Sequence, residues 1–134
     1  MKNCIFCKII KGEIPCAKVY ENDKVFSFLD ISPINYGHAL VIPKKHYETI
    51  TDVPNETLNE LILTVKKIGT ALLKDSDGLN IMQNNKKAAG QLVPHAHFHI
   101  IPRFNDDGFK FNWRSKEYKK GEIEKLANKI KSLL

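Results

Sequence analysis

The sequence lacks several features that would assign a chain to a class at once. Its three cysteines are an odd number, which argues against a framework of disulfide bonds. No apolar run approaches the roughly 18 residues that a membrane span needs, and the first residues carry charge too early for a secretory signal. Internal repeats and low-complexity linkers are also absent from the sequence. We therefore expect a single cytoplasmic domain of 134 residues, large enough to bury a core.

The charge is unbalanced towards the basic side, with a formal net charge of +6. Much of the excess lies near the end of the chain, where six lysines fall between residues 116 and 131. A solvated helix face is typical of such a segment. Aromatic residues are not interleaved with these lysines in the way that a stacking platform for nucleic acid would require. We expect no nucleic-acid partner and no membrane partner, and the charge permits an anionic ligand without identifying one.

Apolar periodicity predicts an α+β domain. Five strands are predicted at residues 17–21, 24–30, 38–42, 79–83 and 95–101. Three helices are predicted: a short one at 4–10, a long one from Pro54 to Leu73, and a C-terminal one at 121–134. This order indicates an antiparallel five-stranded sheet with one long helix and a C-terminal helix.

The most informative segment is the run His95-Ala96-His97-Phe98-His99-Ile100-Ile101, which holds three of the five histidines. Alternation with apolar residues predicts a strand that turns the histidines to one face and Ala96, Phe98 and Ile100 to the core. Packing gives no reason to align three imidazoles. Histidine can act as a nucleophile, acid, base or ligand near neutral pH, so we expect the chemistry of the protein here.

A single zinc ion is not expected to bind all three histidines. Zinc needs its ligands about 2.0–2.1 Å from one point, whereas His95 and His99 would lie about 13 Å apart on a regular strand. A division of roles is the better interpretation. Cys4 and Cys7 form a C-x-x-C pair, and His46 with His95 could complete a Cys2His2 set. The alternative is that the two cysteines are simply packed thiols.

Several motifs together resemble the histidine triad (HIT) superfamily of nucleotide hydrolases and transferases. The alternating histidines match its H-φ-H-φ-H-φ-φ signature, and a third histidine is similar to the hydrolase branches. Three more segments, at residues 5–10, 29–46 and 84–91, resemble the family's opening helix, its nucleoside pocket with the central strand, and its phosphate-binding loop. The match covers about residues 2–104 of a single domain, 1–134, and leaves 105–134 as a C-terminal extension with a basic helix.

The resemblance implies cleavage at the α-phosphate of a nucleotide through a covalent nucleotidyl-histidine intermediate. His97 would be the nucleophile, with its other ring nitrogen donating to the main-chain carbonyl of His95. His99 would bind a phosphoryl oxygen and stabilise charge in the transition state. His38 would support the site, more as a hydrogen-bonded neighbour than as a directly reacting group. No catalytic metal would be required.

The resemblance also implies a site for an AMP-like purine nucleotide. The expected nucleotide-binding residues, besides His97 and His99, are Phe6, Ile9, Phe28, Asp30, Ile31, Leu40, Asn84, Gly90, Gln91 and Leu92. Among them, Asp30 would accept from the ribose hydroxyls, and Asn84 with Gln91 would complete the phosphate cradle, Gln91 as part of the catalytic set. The apolar members have core packing as the alternative.

Two further expectations follow from the resemblance. Cys4, Cys7, His46 and His95 match a structural zinc site of bacterial-type members. Leu92 stands where the Hint branch carries a serine that helps the leaving group. The choice between nucleoside phosphoramidates and dinucleoside polyphosphates is therefore open.

The resemblance implies a homodimer, in which Trp113 and the basic tail could pack at the interface or over the partner's active site. A different class of function is a purine nucleotide-binding regulatory or scaffold protein with little turnover.

Overall fold

Five strands form one antiparallel sheet in the computed structural model, which describes residues 3–134. Met1 and Lys2, where the expected family match begins, lie outside the described residues. The strands are β1 (Lys18–Glu21), β2 (Val25–Leu29), β3 (Ala39–Pro43), β4 (Gly78–Gln83) and β5 (Phe98–Arg103). The helices are α1 (Ile5–Ile10), α2 (Asn55–Leu72) and α3 (Glu122–Leu133). The strand order is β1-β2-β3-β5-β4, so the predicted α+β class is confirmed.

The two faces of the sheet carry two separate cores. Along β3 the side chains alternate, so Val41 faces α2 whereas Leu40 and Ile42 face α1. The α2 side is filled by residues such as Leu61 and by the inward side chains of β5. Because both faces are covered, β3 is buried along its whole length. The α1 side is the one on which the histidines lie.

The long helix forms for the reason its periodicity predicts. Its buried side chains, Leu61, Val65 and Ile68, recur at three- and four-residue steps and pack on the sheet. Gly69 continues this stripe where α2 approaches β4, since a Cβ added there would lie 3.1 Å from Leu79 Cδ1. The helix therefore supports the sheet from the side opposite the histidines.

The histidine strand starts later than predicted, at Phe98 instead of His95, and continues to Arg103. The reason lies in β3, which ends at Pro43 and offers no N–H for pairing at that point. The backbone before Phe98 pairs elsewhere, with the Ala96 N–H donating to the Tyr47 carbonyl at 2.7 Å. The predicted alternation still holds, because Ala96, Phe98 and Ile100 are buried in the α2-side core.

The C-terminal segment packs little on the rest of the chain. Arg103 holds its start, donating to both carboxylate oxygens of Asp107 and to the Phe109 carbonyl. By contrast, α3 has no buried residue, and its apolar side chains lie exposed. None of the helices described in residues 3–134 has both the length and the apolar character needed to cross a membrane.

Candidate active site and adjoining metal centre

A cavity of about 410 Å³ opens on the α1 side of the sheet. Nine residues expected from the sequence line it: Phe6, Asp30, His38, Leu40, Asn84, Gly90, Leu92, His97 and His99. Five others that the sequence reasoning missed complete the wall: Ser32, Ile34, Met82, Val93 and Ile101. Of these, Ile101 continues the alternation of the histidines, and Met82 stands opposite His99 in the β4–β5 register. Strand periodicity could have found the first, whereas the second needs the register.

Four expected residues do not line this cavity. Ile9 and Phe28 are buried in the α1-side core, where packing accounts for them. Ile31 lies on the loop after β2 and is 91% exposed. Gln91 is buried with its carboxamide turned towards the protein interior. The cavity of the single chain therefore has a smaller apolar wall than the sequence suggested.

The carboxamide of Gln91 holds a loop instead of facing the cavity. Its Oε1 accepts from the Lys86 N–H at 2.7 Å, and its Nε2 donates to the Glu48 carbonyl at 2.6 Å. Lys86 has φ of 70° and ψ of 162°, a backbone conformation that is rare outside glycine. Its ammonium pairs with the Glu48 carboxylate at 2.8 Å. These contacts fix the loop that presents Asn84 and Gly90 to the cavity.

His97 is held in one tautomer. Its Nδ1 donates to the carbonyl oxygen of His95 at 2.7 Å, so the neutral ring carries its lone pair on Nε2. This Nε2 has no hydrogen-bond partner among the described residues, in which every fully buried side-chain nitrogen or oxygen has one. The Nε2 lone pair is therefore open to the cavity. Phe6 packs edge-on against the ring, with centroids 5.2 Å apart, and fixes its plane.

His38 and His99 form a directed hydrogen-bond chain. The Ile34 N–H donates to His38 Nδ1 at 3.2 Å, so the neutral His38 ring carries its proton on Nε2. That Nε2 donates to His99 Nδ1 at 2.9 Å, which leaves the His99 proton on Nε2. Like the His97 Nε2, this atom has no partner within residues 3–134. His99 therefore presents an N–H donor, and His97 a lone pair, to the same cavity.

Burial keeps these rings neutral. It lowers the pKa of His38 and of His97, and it lowers the pKa of His99 to about 4 with help from the neighbouring rings of His97 and His38. Asp30 opposes the shift, since its Oδ2 lies 3.8 Å from His38 Nε2. Desolvation is the larger effect at all three histidines. The site can thus offer a neutral nucleophile and a neutral donor near pH 7.

Cys4, Cys7, His46 and His95 converge on one point beside the cavity. Their ligand atoms all lie within 4.8 Å of one another, and His95 Nδ1 is 3.4 Å from Cys4 Sγ and 3.7 Å from Cys7 Sγ. Tetrahedral zinc with ordinary bond lengths would place sulfur and nitrogen ligands about 3.5 Å apart. His95 Nε2 donates to the Pro43 carbonyl at 2.8 Å, as the second nitrogen of metal-binding histidines usually does. The residues therefore fit zinc.

A second group of potential ligands, formed by Asp30, His38 and His99, does not fit a metal ion. A metal bound at His38 Nε2 would force the proton of the neutral ring onto Nδ1. The Ile34 N–H already points at that nitrogen, so two donors would face each other. The hydrogen-bond chain described above explains the same three residues without conflict.

The fold and the cavity define an α+β protein in which alternating histidines carry the candidate chemistry. The family model described as the HIT domain matches residues 11–106. An adenosine 5'-monophosphoramidase of Schizosaccharomyces pombe is 42% identical over 131 residues, which cover 97% of this chain and 97% of the relative. The chain belongs to the HIT family, as the resemblance predicted.

Solved structures agree with this assignment. The crystal structure of a HIT family member from Bacillus subtilis is similar with a TM-score of 0.92 and 44% identity, and the match covers 98% of this chain and 97% of that chain. A zinc-bound histidine triad family protein from Mycobacterium smegmatis is similar with a TM-score of 0.77 and 35% identity, with 99% of each chain covered.

Proposed function

We propose that the protein is a nucleotide hydrolase that cleaves at the α-phosphate and releases a nucleoside monophosphate. The observation that carries the proposal is the pairing of an exposed Nε2 lone pair on His97 with an exposed N–H donor on His99 in one cavity. Membership of the HIT family and the named activity of the yeast relative support the same function. The proposed substrate is an AMP-like purine nucleotide.

The reaction would proceed in two displacements. The His97 Nε2 lone pair attacks the α-phosphorus, and the bond from phosphorus to the leaving group breaks with its electron pair. The leaving group takes up a proton. Water then attacks the phosphorus, the bond to His97 breaks, and the proton released by water balances the first step. The His95 carbonyl, which accepts from His97 Nδ1, stabilises the positive charge that develops on the ring.

Three residues would stabilise and position the substrate. The His99 Nε2–H would donate to a non-bridging phosphoryl oxygen, where negative charge grows in the transition state. Asn84, on the loop fixed by Gln91, would donate to the same phosphate. Asp30 also lines the cavity and would accept from the ribose hydroxyls. These roles assign three polar side chains of the cavity to the phosphate and the ribose of a nucleotide.

We also propose that Cys4, Cys7, His46 and His95 hold a structural zinc ion. When bound, zinc would cross-link the start of α1 to the segment that follows β3, which carries His46, and to the segment that precedes β5, which carries His95. The residues of this chain then do the rest: His95 orients His97 through its carbonyl, and its Nε2 is anchored on Pro43. The fit of the four ligand atoms and the zinc-bound Mycobacterium relative support this proposal.

A homodimer is the proposed assembly. Ile123, Leu126, Ile130 and Leu133 lie on one exposed face of α3, and Trp113 is 89% exposed in the single chain. A second copy could cover both. Sedimentation equilibrium would give twice the chain mass for the wild type and for Lys129→Glu, and a lower mass for Ile130→Glu. A monomeric wild type would contradict the proposal.

The hydrolase is tested with His97→Ala, incubated with adenosine 5'-phosphoramidate and with diadenosine tetraphosphate while AMP release is followed. We expect turnover by the wild type and by a surface control, Thr70→Ala on α2, and none by His97→Ala. Full activity of His97→Ala would refute the nucleophile. Tight AMP binding by the wild type without turnover of either substrate would favour the alternative, a nucleotide-binding regulatory or scaffold protein.

A further inference from the structure

The loop between β2 and β3, residues 31–37, forms part of the cavity wall and is hydrogen-bonded to the rest of the protein through one side chain. Ser32 and Ile34 of this loop line the cavity, although most of the loop is exposed. Within the described part of the chain, the hydrogen bonds of the loop stay inside residues 30–38, except for two that the Asn35 side chain makes. The position of the loop therefore depends on what this side chain contacts.

The carboxamide of Asn35 donates to the end of β5 and to the segment that follows it. Its Nδ2 lies 2.8 Å from the carbonyl oxygen of Pro102 and 3.0 Å from Oδ2 of Asp107. His99 lies on the same strand as Pro102. The loop is therefore placed relative to the strand that carries His99.

The carboxylate of Asp107 is a fixed acceptor for this contact. Arg103 donates to both of its oxygens, at 2.7 and 2.9 Å, and the backbone N–H groups of Phe104 and Phe109 donate to it at 3.0 and 3.1 Å. The side chain of Asp107 is only 6% exposed. The Arg103 guanidinium, together with these N–H donors, holds the pKa of the Asp107 carboxyl well below its usual range. Asn35 thus donates to an ionised group that is itself held on five sides.

The loop in turn determines which nitrogen of His38 carries the proton. The backbone N–H of His38 donates to the Asn35 carbonyl at 3.0 Å, and the Ile34 N–H donates to His38 Nδ1 at 3.2 Å. The carboxylate of Asp30 is 3.8 Å from His38 Nε2, too far for a hydrogen bond. If the Ile34 N–H moves away, the neutral ring can carry its proton on Nδ1. His38 Nε2 would then accept from His99, whose own Nε2 would present a lone pair instead of a donor.

We propose that Asn35 and Asp107 are positioning residues of the candidate active site, because they hold the loop 31–37 in the place that keeps a proton on His99 Nε2. This inference rests on the proposed function, in which that proton is donated to a phosphoryl oxygen. Neither side chain lines the cavity, so both act through the histidines. Asp107 lies just beyond residues 11–106, which match the HIT domain, so the segment after the matched domain contributes to the site. A lone pair in place of the donor would repel the phosphoryl oxygen where negative charge grows.

The test replaces Asn35 with alanine and reads the tautomers of the two rings directly. Long-range ¹H–¹⁵N NMR spectra of the full chain at neutral pH distinguish a protonated ring nitrogen from a bare one. In the wild type only Nε2 should carry the proton in His38 and in His99, whereas Asn35→Ala should show both tautomers in each ring. Asn105→Ala, the same substitution at an exposed asparagine after β5, is the matched control and should keep the wild-type tautomers. Circular dichroism shows that each variant is folded.

Steady-state kinetics then measure what the tautomers contribute to turnover. The substrate is adenosine 5'-phosphoramidate or diadenosine tetraphosphate, whichever the wild type hydrolyses. Asn35→Ala should lower kcat about threefold or more and leave KM within about twofold, because molecules with the other tautomer still bind the nucleotide but do not react. Asp107→Asn keeps the shape of the side chain without its charge and should have the same effect. The double variant should be within about twofold of the slower single variant, because both residues act along one path.

The outcomes separate the positioning role from the hydrolase itself. If folded Asn35→Ala keeps the wild-type tautomers, or mixes them without a loss of kcat, the positioning role is refuted and the hydrolase stands. A lower kcat with unchanged tautomers would show a merely structural contact and would also refute it. If the wild type hydrolyses neither substrate, the proposed function falls, whereas the ring spectra still decide whether Asn35 sets the tautomers of His38 and His99.

Discussion

The carbonyl oxygen of His95 accepts the Nδ1–H of His97 at 2.7 Å, while the ring of His95 lies between two cysteine sulfurs and the Pro43 carbonyl. One residue thus joins the candidate metal centre to the candidate nucleophile. The imidazole of His95 is fully buried and does not line the cavity. Its influence on His97 passes through the backbone.

This relationship predicts the effect of removing one metal ligand. Cys7→Ser should contain no tightly bound zinc and should lose about 2 kcal/mol or more of the free energy of unfolding, which corresponds to roughly 7 °C or more in Tm. The loss of kcat should exceed the change of KM, since His97 is misoriented while the nucleotide wall is kept. Elemental analysis, thermal unfolding and steady-state kinetics measure these three effects.

Cys16 provides the matched control, because it is a free, half-buried cysteine outside the metal-ligand group. Cys16→Ser should retain one zinc per chain and nearly wild-type kinetics. A metal-free wild type with unchanged stability and activity would contradict the metal assignment.

The backbone conformation of Lys86 predicts that glycine is more stable than alanine at this position, the reverse of the order within a helix. A backbone with φ of 70° is strained in any residue that carries a Cβ, so Lys86→Gly should be more stable than Lys86→Ala by about 1–2 kcal/mol. Both variants lose the same exposed ion pair with Glu48. Lys66, exposed in the middle of α2, should show the usual order, with Ala about 1 kcal/mol more stable than Gly. Chemical denaturation of the four variants measures the difference in unfolding free energy between glycine and alanine at each position. If alanine is the more stable at both positions, the backbone of Lys86 is not strained.

Because the carboxamide of Gln91 is buried, we expect a negative charge at this position to destabilise the protein more than the loss of the side chain does. Gln91→Glu keeps the acceptor for the Lys86 N–H but replaces the N–H donor with an oxygen facing the Glu48 carbonyl. The variant should lose about 2–4 kcal/mol of unfolding free energy and bind AMP more weakly. Thermal unfolding and calorimetric titration check this, with Gln91→Ala expected to lose less. Wild-type AMP affinity in Gln91→Glu would show that the loop does not depend on this contact.

The pKa of His99 predicts how stability depends on pH. Burial lowers this pKa to about 4 in the folded state, whereas an unfolded histidine titrates near 6.5. Between these values the unfolded chain binds the extra proton, so the contribution of His99 is complete above pH 6.5 and is lost as the pH falls towards 4. The difference in unfolding free energy between wild type and His99→Asn should therefore shrink as the pH falls through this range. A difference that is constant from pH 7 to pH 4 would contradict the assignment.

Much of the fold follows from the sequence because local patterns and burial agree. The three- and four-residue steps of α2 and the alternation of Ala96, Phe98 and Ile100 are both confirmed. The predicted start of β5 was wrong by three residues, since its pairing with β3 ends where Pro43 has no N–H to donate. The first residue of β5 depends on the sequence of the neighbouring strand β3 and cannot be read from the histidine segment alone.

The candidate site was less predictable where a role depends on orientation. The sequence places Gln91 close to the expected phosphate, but its carboxamide turns inward because the Lys86 N–H needs an acceptor there and the Glu48 carbonyl needs a donor. Ile31 follows a strand of apolar residues and yet is exposed. A further cavity of about 450 Å³ beside the metal ligands is lined by Ile5 and Leu92, which are far apart in the chain and lie together only in the folded protein.

The alternation along β3 has a practical consequence for engineering. Leu40 borders the cavity, and its neighbour Val41 faces the α2 side of the sheet. Substitutions at these two adjacent positions therefore affect different properties: Leu40 affects the shape of the cavity, and Val41 affects the melting temperature. A library confined to α2 and the side chains facing it could raise thermal tolerance, while a second library on the opposite face alters selectivity, and the two sets of gains could then be combined in one chain.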